Sequence, residues 1–109
     1  MNIRASDKLR INATAIGNTA TLYLSGHFAF DAHRDFKAAY HDQLRNSTIS
    51  ALVVNLAEVK FLDSSALGML LVLRDHANAT NKSLTLSCPS TIAMRTFEIA
   101  SFHNMFTIN

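Results

Sequence analysis

The chain of 109 residues has a single cysteine, Cys88, so no disulfide can form within it. That suits a reducing compartment, where thiols persist. Lying between a strand and Pro89, Cys88 reads as a small core residue, not as a redox thiol. Glycine is also scarce. Gly17, Gly26 and Gly68 are too dispersed for a phosphate-cradling loop, and nucleotide binding has no signal. No stretch reaches the roughly 20 apolar residues of a membrane helix. The segment Met1 to Asp7 lacks the apolar core of a signal peptide. These absences read as a soluble, cytoplasmic protein with no membrane contact. Blocks of like charge are missing too. The ten Lys and Arg residues are scattered and the formal charge is +2, so direct nucleic-acid binding is not expected. His27, His33, His41, His76 and His103 show no metal-binding spacing, and neither a metal nor another cofactor is expected.

What is present is a globular composition, 49% apolar and 17% charged, that reads as one domain over residues 1–109. Leu9 to Ala15 and Thr19 to Ser25 each alternate apolar and polar residues around Gly17-Asn18, which predicts a hairpin closing on Gly26. Leu22 and Leu24 would face one way, Thr21 and Tyr23 the other. His27-Phe28-Ala29-Phe30 is an apolar bridge to a helix over 32–45, with Asp31 as its cap and Phe36, Ala39, Tyr40 and Leu44 as its apolar stripe. A buried strand is predicted over 51–56, where Ala51-Leu52-Val53-Val54-Asn55-Leu56 is short and branched. A helix from Ser64 to about His76 or Asn78 follows, with Leu67, Leu70, Leu71 and Arg74 in helical spacing. Ser83 to Cys88 alternates as a strand. Ser90 caps a third helix with Ile92, Phe97 and Ile99 as its apolar contacts, and Met105 to Ile108 is a short last strand. The order β-β-α-β-α-β-α-β argues for an α/β layer structure on a mixed sheet.

The stretch most able to carry chemistry is Asp63-Ser64-Ser65 at the start of the second helix, where either Asp63 or Ser64 can be the N-cap. The plain reading is that Ser64 caps the helix and Ser65 fills its first turn. The functional reading is a switch, because a helix N-terminus tolerates an anion and a phosphate on Ser64 would bring about −1.5 to −2 charges. Catalysis by Ser64 lacks a nucleophile elbow and any patterned base. The second stretch is His27 to Phe30, which either packs beneath the first helix or offers a partner an apolar edge.

Asp63-Ser64-Ser65-Ala66-Leu67-Gly68 resembles the D-S-S-G-L-G signature of STAS domains, the family of bacterial anti-sigma factor antagonists. Leu24-Ser25-Gly26 resembles that family's strand-end L-x-G, and Val53-Val54-Asn55-Leu56 its strand ending in Asp or Asn. The resemblance implies a single-domain STAS-like fold with helices mainly on one face of the sheet. It implies a regulatory binding module and not an enzyme. The unphosphorylated form would bind an anti-sigma factor/serine kinase of the GHKL type and release a sigma factor. Phosphorylation of Ser64 would switch it off, and a PP2C-type phosphatase would reverse this. Partner contacts would come from Gly26, His27, Phe28, Ala29, Phe30, Asp63, Ser64, Ser65, Leu67 and Gly68, with the free protein a monomer. Two departures stand out: Ala66 replaces the usual Gly, and Ala29 falls where many members have an acid. The alternative is a STAS accessory subunit of an ABC-transporter ATPase in lipid trafficking, for which a double serine has no evident use.

Overall fold

Alternating side chains and a tight turn begin the fold. In the computed structural model, which describes residues 7–109, β1 (Arg10–Ile16) and β2 (Thr19–Phe28) pair antiparallel around Gly17-Asn18. Gly17 sits at φ 61°, where glycine has no Cβ to clash. A 3₁₀ turn (Phe30–Ala32) leads into α1 (His33–Leu44), and the chain continues through β3 (Ala51–Leu62), α2 (Ser64–Ala79), β4 (Ser83–Ser87), α3 (Thr91–Ile99) and β5 (Thr107–Ile108). The strands lie in sequence order in one sheet, and every pair after the hairpin is parallel. Each parallel connection steps one strand in the same direction. Right-handed crossovers therefore set all three helices on one face.

The strands show that face directly. Ala20, Leu22 and Leu24 of β2, Leu52, Val54 and Leu56 of β3, and Leu86 of β4 are buried under the helices. The alternate residues form an open face, on which one cross-strand row runs Thr14, Thr21, Val53, Thr85, Thr107. Phe36, Tyr40 and Leu44 pack down from α1, and Phe97 stacks on Phe102, which stacks on Phe106, to fasten the C-terminal end.

Several expectations are corrected by these contacts. β2 does not stop at Gly26 but runs on to Phe28, and β3 extends past Leu56 to Leu62. The offset between the two strands grows by one residue at each of two bulges, between Tyr23 and Ser25 and between Gly26 and His27. β3 carries the extra residues, so its buried positions change from alternation to Leu56, Val59, Leu62. Asp31 lies in the 3₁₀ turn, and α1 begins after Ala32 with no side-chain cap. The buried stripe of α2 is Ala66, Met69, Leu70, Leu73 and Ala77, with Leu67 and Leu71 half-buried at its margin. Ala93 and Phe97 are the buried residues of α3, whereas Ile99 is 81% exposed. Cys88 is exposed, with φ 50° just past the end of β4, and is not a core residue.

Candidate functional site

Parallel strands bring their C-terminal ends, and the loops that leave them, to one edge of the sheet. Here the ends of β2 and β3 are paired through Phe28 and Leu62, and the Asp63 amide donates to the Phe28 carbonyl at 3.3 Å. This zips the junction before α1 against the start of α2. Asp63 completes the join with its side chain. One oxygen, Oδ1, accepts from the Ala66 amide at 3.0 Å and caps α2. The other, Oδ2, accepts from the Phe30 amide at 3.2 Å. A single carboxylate thus ties the helix N-terminus to the neighbouring loop.

Because Asp63 is the cap, Ser64 is not. Ser64 is the first residue of α2, exposed, and among the described residues no hydrogen bond engages its hydroxyl. Ser65 is half-buried one step further along. The amides of Ser64 and Ser65 belong to the first turn, whose N–H groups have no intrahelical acceptor. The Ser64 oxygen therefore stands in solvent beside the positive end of a 16-residue helix.

The remaining expected contact residues divide by accessibility. Phe30 is 76% exposed and flanks the Asp63 cap. Gly68 is exposed on the second turn of α2, with open space where a Cβ would lie, and Leu67 is half-buried beside it. His27 is half-buried and its ring packs on Phe61, centroids 5.4 Å apart. Phe28 is fully buried and Ala29 nearly so, and their side chains serve the core. Gly26 is buried at φ 101°, and a Cβ there would lie 2.8 Å from the Asp7 carbonyl oxygen. Its part is to let the chain at Asp7 and Lys8 cross close over β2.

Phe61 was not anticipated. It is 38% exposed, in register with His27 and two residues before Asp63. Its signal in the sequence was an aromatic residue just ahead of the serines, hidden by ending the predicted strand at Leu56, whereas β3 runs to Leu62. Ser64 and Gly68 are exposed on the first two turns of α2, Phe30 is exposed beside the Asp63 cap, and Phe61 is partly exposed against His27. Among the described residues, no group of three or more His, Cys, Asp or Glu is placed to hold a metal ion. No helix of the described chain is long and apolar enough to cross a membrane.

Known proteins are similar to this chain in sequence and in fold. Residues 11–107 match the family model described as Mlab, STAS domain. A STAS-domain containing protein of Pseudomonas aeruginosa is 40% identical over 96 residues, covering 88% of this chain and 93% of that protein. Among solved structures, an anti-sigma factor antagonist from Mycobacterium paratuberculosis superposes with a TM-score of 0.83 at 17% identity, covering 97% of this chain and 89% of that one. The antagonist SpoIIAA in its unphosphorylated form gives 0.75 at 17% identity, covering 94% and 88%. Bacillus SpoIIAA in its phosphorylated form gives 0.69 at 17%, covering 94% and 91%. Those structures share the five-stranded mixed sheet and its helices, and with the family match over nearly the whole chain they show that this protein belongs to the STAS domain family.

Proposed function

We propose that the protein is an anti-sigma factor antagonist whose unphosphorylated form binds an anti-sigma factor/serine kinase of the GHKL type, and which phosphorylation of Ser64 switches off. The observation that carries this reading is the exposed Ser64 hydroxyl, left free because Asp63 caps the helix in its place. A kinase can reach that oxygen without opening the fold. The helix dipole and free first-turn amides accept the resulting dianion, so the domain stays folded. The solved forms of SpoIIAA, with and without phosphate, are consistent with such tolerance in this fold.

The partner would respond differently. Phe30 and Phe61 supply apolar surface for a contact, and exposed aromatics of this kind anchor interfaces. A phosphate on Ser64 that the partner covers must be desolvated on binding, one residue from the Asp63 carboxylate. A cost of about 3–5 kcal/mol for an unpaired buried charge lowers affinity by more than a hundredfold. Repulsion also bears on Asp63 itself, whose Oδ2 holds the Phe30 amide. The phosphate thus acts on the aromatic contact through the same carboxylate that positions it. The chain works by binding and not by catalysis, in the cytoplasm, with a PP2C-type phosphatase restoring the hydroxyl.

A second reading is the accessory subunit of an ABC-transporter ATPase in lipid trafficking. The family match, described as Mlab and not as an antagonist, is on its side. Such a subunit would use the same fold to brace an ATPase and would need no phosphate. Intact mass and phosphosite mapping of protein from its native host, with identification of what co-purifies, separate the two. The switch predicts phosphate on Ser64, a kinase-like partner, and capture by Ser64→Ala but not by Ser64→Asp. Equal capture by both variants removes the switch, and recovery of an ATPase supports the second reading.

A further inference from the structure

The two edges of the sheet are unlike. β5 is only two residues long, and so short an edge offers little to pair with. β1 is seven residues long, and among the described residues β2 is the only strand beside it. Natural edge strands are defended by proline, lysine, bulges or inward-pointing charge. Arg10-Ile11-Asn12-Ala13-Thr14-Ala15-Ile16 has one charge, at its end, and no proline or lysine. Its register with β2 is unbroken from Arg10 opposite Ser25 to Ile16 opposite Thr19. Every residue but Ile11 is exposed, and Ile16 is 84% exposed.

The register also tells which backbone groups are free. A two-residue turn closes on a hydrogen-bonded pair, here Ile16 with Thr19, and such pairs alternate along an antiparallel ladder. Arg10, Asn12, Thr14 and Ile16 therefore direct their N–H and C=O groups at β2. Ile11, Ala13 and Ala15 direct theirs away from the sheet, in a row that a further strand can complete.

We propose that this edge is a contact between two copies of the chain, with β1 pairing antiparallel to β1 about a twofold axis at Ala13. In that register Ala13 faces Ala13 of the second copy, Ile11 faces Ala15, and Arg10 faces Ile16. All three outward-directed pairs are of the hydrogen-bonded kind. The two Arg10 side chains stand six residues apart along the strand, about 20 Å at 3.4 Å per residue, so no like charges oppose. The small side chains of Ala13 and Ala15 allow the normal strand spacing. The contact is closed, because it consumes both long edges and leaves only the short β5 edges outermost. Seven residues a side falls below the roughly 20–30 of a stable interface, and the dimer is weak, with a dissociation constant on the order of 0.1–1 mM. The chain is then monomeric when dilute and pairs when concentrated. Ser64 lies at the far end of β3 and not on this edge, so the pairing leaves the switch open.

Sedimentation of the full chain from about 0.01 to 1 mM, a range spanning that constant, tests the contact. The expected result is a rise in mass toward the dimer. Ala13→Lys and Ala13→Glu each set like charges face to face on the axis, and each alone stays monomeric, whereas an equimolar mixture of the two recovers the dimer. Thermal melting of each variant shows that it is folded, as expected for a change at an exposed side chain. A wild-type chain monomeric at the highest concentration overturns the proposal and leaves the edge for a foreign strand. A dimer formed by either variant alone, or a mixture that stays monomeric, overturns it equally, because another surface or another register would then be responsible.

Discussion

Asp63 performs two tasks with two oxygens, and substitutions can separate them. Asp63→Ala removes both the cap on the Ala66 amide and the acceptor for the Phe30 amide. Loss of an N-cap costs about 0.5–2 kcal/mol, and a urea denaturation midpoint will show it. Asp63→Asn retains a carbonyl oxygen for one amide, and Asn is as good a cap as Asp, so its midpoint should fall less. Its effect on a partner should be larger than its effect on stability, because Phe30 loses its tether while α2 keeps its cap. Equal destabilisation by the two variants would show that the negative charge, and not the hydrogen bond, holds the helix start. Sequence alone narrowed the cap to Asp63 or Ser64 and could go no further. Both residue types cap well, and the folded chain uses Asp63, whose second oxygen also holds the Phe30 amide from 33 residues away. It is the cap bond from the Ala66 amide to Asp63 Oδ1 that leaves the Ser64 hydroxyl, on which the proposed switch rests, free.

At the scale of elements, order and type followed from periodicity, while several ends and faces did not. β1, β2 and β4 were readable because one side of each is apolar and the other polar. The second half of β3 was not, because bulges replace the alternation of its buried residues with a spacing of three, at Leu56, Val59 and Leu62. A bulge is a property of the pair of strands, and no pattern in one strand reports it. The helical spacing of Leu67, Leu70, Leu71 and Arg74 marked α2 as a helix without fixing its buried face, which includes the small Ala66 and Ala77 while Leu67 and Leu71 stay half-buried. Gly68 sits in the interior of this helix without a conformational need, since its φ is not positive and nothing lies within 4 Å of an added Cβ. Gly68→Ala should therefore stabilise the protein by about 0.8–1 kcal/mol, read as a higher denaturation midpoint. The same methyl stands on the proposed partner surface, so a variant that is more stable but captures less partner would show close approach at this turn. A loss of stability would mean that the exposed face of α2 is not as open as its geometry states.

For the whole molecule, no charged side chain is buried among the described residues, so pH reaches the core through another kind of group. Tyr40 supplies one dependence. It lies at the α1 face of the core, its ring edge-on to Phe36 with centroids 5.4 Å apart and tilted against His76 at 5.8 Å. Burial disfavours the phenolate and raises the Tyr40 pKa above its ordinary value of 10.0. The sign follows from linkage. Below about pH 10 the hydroxyl is neutral in both folded and unfolded chains and stability is unaffected. Above it, the unfolded chain releases the proton while the folded chain keeps it, so the unfolded state gains and stability falls as the pH rises through the folded value. Urea denaturation at a series of alkaline pH values should show that fall in the wild type. Tyr40→Phe keeps the ring and its packing but has no proton to lose, and its stability should decline less steeply over the same range. Parallel curves for the two proteins would assign the alkaline loss to other groups and remove Tyr40 from the account.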